Sequence, residues 1–177
     1  MLDKTNNTFK YDFKGLSMTT ERTASMEDYL EAIAVLREEE VEVRVTQISK
    51  RLGVKKPSVT AALHKLSEDG LVKHRRYGHV ELTGKGRKIA EEVMRRHEVL
   101  FRFLSEILGV DSDTAQEDAC KVEHSLSPTS LERLAKFVEF VLTCPRGEPL
   151  WHKGFNYFVE HGERDQEIVA NCLEKES

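Results

Sequence analysis

Apolar residues along this chain recur mostly at helical spacing. Met26, Leu30, Ile33, Ala34 and Leu36 make one stripe, predicting a helix from about Ser25 to Glu39 with Ser25 as N-cap and Asp28 at N3. Val45 to Val54 reads as a short helix capped by Thr46 and ended by Gly53, and Pro57 then opens a third helix. In that helix Val59, Leu63 and Leu66 point inward at i, i+4 and i+7, and Asp69-Gly70 ends it. Leu71–Arg76 and His79–Leu82 read as two short strands joined around Tyr77-Gly78 as a basic hairpin.

From Thr83-Gly84-Lys85-Gly86 a long helix runs to Leu108-Gly109 with Ile89, Val93, His97, Leu100 and Leu104 on one stripe. A helix over about Ser112 to Leu126 follows, and Pro128 starts another, apolar on more than one side through Leu131, Leu134, Phe137, Val138, Phe140 and Val141. A helix apolar around much of its circumference needs partners on two faces, which in a domain this small predicts a dimer. Cys144-Pro145-Arg146-Gly147-Glu148-Pro149 breaks the pattern before a final helix near Phe155, Phe158, Ile168 and Val169. Residues 1–22 are polar and aperiodic and read as a flexible arm, in which Met18 is a candidate start.

The expected fold is mainly α. A winged helix-turn-helix domain over 23–92 precedes a helical domain over 93–144 and a partly helical extension over 145–177. Helix, helix, recognition helix and basic hairpin in that order is winged-helix architecture. It leaves Ser58, Thr60, Ala61, His64 and Lys65 facing outward to base edges, with Lys55, Lys56 and Pro57 at the helix entrance and His74, Arg75 and Arg76 on the wing for phosphates or the minor groove.

Composition agrees. The 177 residues are 39% hydrophobic and 33% charged, and the net charge of −4 hides an asymmetry: residues 44–96 hold 14 Lys and Arg against 5 Asp and Glu, leaving the remainder at −13. A basic block in an acidic protein is the footprint of a nucleic-acid-binding module, although a solvated basic face has the same charge. No apolar run approaches the ~18 residues of a membrane span, the first twenty residues lack the apolar segment of a signal peptide, and three widely spaced cysteines argue for reduced thiols. These features predict a cytoplasmic protein with no membrane partner.

The candidate chemistry centres on Cys120-Lys121-Val122-Glu123-His124. On a continuous helix, Cys120, Glu123 and His124 stand at i, i+3 and i+4 and project from one face within reach of a single ion. The ordinary alternative is a half-buried cysteine beside a solvated Glu-His pair. Asp28 and Glu31 lie three apart near a helix start, where acids also suit the dipole, and His97 falls on an apolar stripe where a satisfied core histidine is equally at home. Cys144, His152, His161 and Cys172 match no close-ligand spacing. Enzyme readings fail: no histidine has Glu three places before it, as di-iron helices require, and His97-Glu98-Val99-Leu100 is followed by Phe101, not the second histidine of a zinc protease.

The text Ser25-Met26-Glu27-Asp28-Tyr29-Leu30-Glu31-Ala32-Ile33, the helix-turn-helix through Asp69-Gly70-Leu71-Val72, Leu82-Thr83-Gly84-Lys85-Gly86, Arg96-His97-Glu98 and Cys120 through Ser127 resembles the metal-dependent regulators of the diphtheria toxin repressor family, most closely the manganese transport regulator branch. About residues 24–150 are covered. The resemblance implies a metal site of Asp28, Glu31, His97, Cys120, Glu123 and His124 that clamps two domains, with Fe(II) or Mn(II) as cofactor, double-stranded operator DNA as partner, a homodimer, and repression of metal-uptake genes when metal is plentiful. Three departures stand out. A glutamate is usual at the Cys120 position in the manganese branch, while iron-type members have cysteine there but lack the acid pair. Phe101 and Gln116 stand where iron-type members carry ancillary ligands, and the tail after Pro149 is too short for their SH3-like third domain. The rival reading is a metal-independent winged-helix regulator responding to an organic ligand or a protein partner.

Overall fold

The computed structural model describes residues 24–39, 42–74, 79–145 and 150–174. The elements are α1 (Ala24–Glu39), β1 (Val43–Arg44), α2 (Val45–Leu52), α3 (Lys56–Glu68), β2 (Val72–His74), β3 (His79–Leu82), α4 (Gly84–Arg102) continued by a π-helical turn (Phe103–Ile107), α5 (Ser112–Val122), α6 (Pro128–Leu142), α7 (Leu150–His161) and α8 (Gln166–Glu174). They divide into two compact units, and the division falls within α4, between Arg96 and His97.

In the first unit α1, α2, α3 and the start of α4 close over one core. Leu30 and Ile33 of α1, Ile48 of α2, and Val59, Leu63 and Leu66 of α3 meet Val72 and Val80 of the strands and Val93 of α4. The helical stripes are those the spacing predicts. Gly53 ends α2 in the left-handed region at φ 65°, a conformation glycine adopts without steric cost. The Ser49 hydroxyl then donates to the Val54 carbonyl at 2.6 Å, fixing the turn into α3. The first helical residue of α2 is Val45, where the sequence suggests a Thr46 cap. Gln47 accepts from the Arg44 N–H at 2.7 Å and supplies the capping contact instead.

The sheet has three strands in the order β1-β3-β2, both pairs antiparallel. Val72 faces Leu82 and Lys73 faces Glu81 across the hairpin, while Val43 faces Val80 on the other side. The wing-tip residues Arg75 and Arg76 lie outside the described residues, as does the arm.

The wing returns to α4 through Thr83. Its N–H donates to the Leu71 carbonyl at 2.9 Å, its hydroxyl donates to the Gly70 carbonyl at 2.8 Å, and the hydroxyl oxygen accepts from the Gly86 N–H at 3.1 Å, capping α4. Gly86 packs so closely on Leu71 that a Cβ there would collide with the Leu71 carbonyl. Farther along the same unit, Arg96 of α4 and Glu27 of α1 form an ion pair at 3.1 Å with both side chains largely out of solvent.

The second unit has smaller apolar clusters. Val99, Leu131 and Ala135 make one, and Ile107, Val138 and Val141 another. The predicted helix to Leu126 stops at Val122. Ser125 closes a tighter bond to the Val122 carbonyl, and Ser127, preceding Pro128, is extended at ψ 152°, as the residue before a proline prefers. Where the sequence suggests one last helix there are two, divided at Gly162 with φ 75°. His152 donates to the Ile107 carbonyl at 2.9 Å, satisfying the end of the π-helical turn, and His161 stacks on Tyr157 at 4.0 Å. Both histidines are thus engaged structurally, and among the described residues neither joins a cluster of ligand-type side chains.

Candidate metal centre and DNA-facing helix

In the first unit α3 turns Val59, Leu63 and Leu66 into the core. Lys55, Lys56, Pro57, Ser58, Thr60, Ala61, His64 and Lys65 are all exposed. The Thr60 hydroxyl donates to the Lys56 carbonyl at 3.0 Å, and His64 pairs with Glu68 at 3.4 Å along the same helix. The outward face is therefore polar around three lysines, a surface that a phosphate backbone can approach. His74 ends β2 opposite Val80.

Asp28 and Glu31 sit half-buried on α1, with Tyr29 and Leu30 between them in the core. Burial pushes the Tyr29 phenol up, and the neighbouring Asp28 charge pushes it further in the same direction.

In the second unit the side chains of His97, Glu123 and His124 meet. Glu123 caps α5 and is fully buried. One carboxylate oxygen lies 2.9 Å from His97 Nδ1 and the other 3.1 Å from His124 Nε2, and both imidazoles are only 13% and 11% exposed. Burial pushes the Glu123 carboxyl up, but the hydrogen bonds with His124 and His97, aided by their charge, outweigh it and hold it below the ordinary carboxylate range. A carboxylate with no solvent access, flanked by two imidazoles, is a nitrogen-and-oxygen donor set suited to a divalent first-row metal. Cys120 stands apart in environment. It lies in the last turn of α5 and is exposed, and since the helix ends at Val122 the continuous helical face expected over 120–124 does not extend to His124.

The family model described as iron dependent repressor, N-terminal DNA binding domain, matches residues 21–80. The one described as iron dependent repressor, metal binding and dimerisation domain, matches residues 83–152. The chain is 41% identical over 118 residues to the HTH-type transcriptional regulator MntR of Bacillus pumilus, covering 67% of this chain and 81% of that one. This chain belongs to the diphtheria toxin repressor family of metal-dependent transcriptional regulators.

Within the family it falls in the manganese transport regulator branch. An uncharacterized HTH-type transcriptional regulator of Methanocaldococcus jannaschii is 40% identical over 116 residues, 65% of this chain and 93% of that one. Among solved structures, a manganese-dependent transcriptional repressor in complex with manganese superposes with a TM-score of 0.61 at 33% identity, over 65% of this chain. The chain spans about half the length of that repressor, 53%. Asp28 and Glu31 fall in the DNA-binding match, and His97, Cys120, Glu123 and His124 in the metal-binding match. Most of α7 and all of α8 lie beyond both. No helix among the described residues is long and apolar enough to cross a membrane.

Sequence reasoning passed over Arg96 and Glu27. Each stands beside a nominated ligand in the motif text, but nothing in spacing joins two residues so far apart in the chain.

Proposed function

We propose that this protein is a cytoplasmic, homodimeric repressor of metal-uptake genes for which Fe(II) or Mn(II) is the co-repressor. Residues 23–92 read the operator, 93–144 carry the metal and dimer functions, and 145–177 form an extension. The buried Glu123 carboxylate between His97 and His124 carries this reading. A divalent ion bound by this donor set would balance the buried carboxylate and add coordination bonds that hold its ligands in a single arrangement.

Asp28 and Glu31 complete the proposed set from α1 of the DNA-binding unit, and Cys120 adds a thiolate. Hard carboxylates favour Mn(II) and Fe(II), whereas the thiolate tilts preference towards Fe(II), Co(II) or Zn(II). Ligands drawn from both units make the DNA-competent arrangement depend on occupancy, so metal and operator each tighten binding of the other. The exposed α3 residues take the base edges, Lys55 and Lys56 with the wing residues His74, Arg75 and Arg76 the phosphates, and a dimer must present two such helices about 34 Å apart to meet successive major grooves.

The test uses DNA duplexes selected in vitro against the full chain with Mn(II) present. Affinity for the selected duplex should rise at least tenfold on adding Mn(II) or Fe(II) and fall back with chelator. Glu123→Ala and His97→Ala should remove that rise while the far-ultraviolet circular dichroism stays native. Equal affinity with metal, with chelator and in both variants overturns the reading in favour of a metal-independent winged-helix regulator.

A further inference from the structure

The Glu27–Arg96 ion pair is a feature that neither the ligand set nor the DNA-facing helix uses. Its partners lie 69 residues apart in sequence, on α1 and α4 of the DNA-binding unit, with Arg96 Nη2 3.1 Å from the Glu27 carboxylate. The side chains are only 8% and 13% exposed. Desolvation cancels much of the attraction in a pair withdrawn from water, so such a pair is a weak source of stability. Its usefulness lies in direction, because a guanidinium held against a carboxylate tolerates little sliding of one helix past the other.

Each partner is the immediate neighbour of a proposed ligand: Glu27 precedes Asp28 on α1, and Arg96 precedes His97 on α4. Successive helical residues are rotated by about 100°, so the pair and the ligands occupy adjoining faces. A slip or rotation of either helix that breaks the pair also moves the ligand beside it.

We propose that Glu27 and Arg96 are positioning residues of the metal centre, their buried ion pair setting the register of α1 against α4 so that Asp28, Glu31 and His97 are presented before metal arrives. The inference rests on the ligand set proposed above. The pair acts as partners behind metal ligands do, whose loss typically lowers metal affinity 10–100-fold.

The experiment titrates Mn(II) into the full-length apo protein, with free Mn(II) read by electron paramagnetic resonance and the melting temperature of the apo protein read alongside. Three variants are compared with the parent: Glu27→Gln, the double variant Glu27→Gln/Arg96→Met, and Glu123→Ala. Glu27→Gln should weaken Mn(II) binding by roughly 10–100-fold. The double variant removes both charges, so no lone charge is left buried, and keeps the apolar stem of the arginine. It should melt near the parent yet bind Mn(II) as weakly as the single variant, which separates positioning from folding and holds even if Glu27→Gln alone fails to fold. Parent-like Mn(II) affinity in the double variant, with Glu123→Ala having lost binding, overturns the positioning role and leaves the centre standing. Parent-like affinity in Glu123→Ala overturns the centre, and the positioning role with it.

Discussion

Cys120 and Glu123 are three residues apart and live in different surroundings. Glu123 has no solvent access and a partner on each oxygen, whereas Cys120 is exposed at the end of α5. A thiolate that ligates a metal from such a position contributes preference more than affinity for hard ions, because Mn(II) gains little from sulfur while Co(II) and Zn(II) gain much. Cys120→Ser should therefore leave the Mn(II) dissociation constant within a few-fold and weaken Co(II) binding at least tenfold. The near-ultraviolet sulfur-to-cobalt charge-transfer band of the Co(II)-loaded protein should vanish in the variant. A parent protein that lacks this band altogether removes Cys120 from the ligand set. At this scale the donor types were legible: Cys120, Glu123 and His124 stand out by helical spacing, while Asp28, Glu31 and His97 join them only through the family resemblance, so the six are a proposed set. Their environments were not, because spacing along a helix says nothing of where that helix stops.

Among the elements, the junction between wing and α4 gives a physical reason for Leu82-Thr83-Gly84-Lys85-Gly86. Thr83 caps α4 and simultaneously ties it to the end of α3 at Gly70 and Leu71. Gly86 is then forced against the Leu71 carbonyl, where there is no room for a side chain. Backbone cannot move aside as a flexible side chain can, so Gly86→Ala should destabilise the protein by about 1–3 kcal/mol, the usual cost of overpacking. Chemical denaturation of the apo protein reads this directly, and a variant as stable as the parent would show that α4 can start elsewhere. The helices and hairpin were legible here because Val59, Leu63 and Leu66 repeat at the helical period over about two turns, and because Tyr77-Gly78 offers a turn between the short segments Leu71–Arg76 and His79–Leu82. β1 was not, since two residues, Val43 and Arg44, contain no period at all and become a strand only by pairing with β3. Nor was the π-helical turn, whose end is satisfied by His152 from a helix 45 residues later.

At the scale of the whole molecule, the second unit leaves much apolar surface uncovered. On α6, Leu131, Ala135, Val138 and Val141 turn inward, while Phe137 and Phe140 turn out at 41% and 74% exposure. Phe137 continues into Trp151 of α7, 6.3 Å away between ring centroids and itself 46% exposed. Its apolar clusters are small, and domains with so little interior usually gain stability by association. The matched dimerisation domain, residues 83–152, contains all three aromatics. A second copy of the chain is the expected cover, and the two-sided apolar pattern of residues 131–141 signals it in sequence. Phe140 is the most exposed of the three, so a charge there reaches the interface while leaving the inward face of α6 untouched. Phe140→Glu should sediment as a monomer at micromolar concentration with native circular dichroism and an unchanged Mn(II) affinity. Its affinity for the selected duplex should fall at least tenfold, because one recognition helix gains nothing from the spacing that a dimer sets. A Phe140→Glu protein that still sediments as a dimer would move the interface off this face of α6 without disturbing the metal centre.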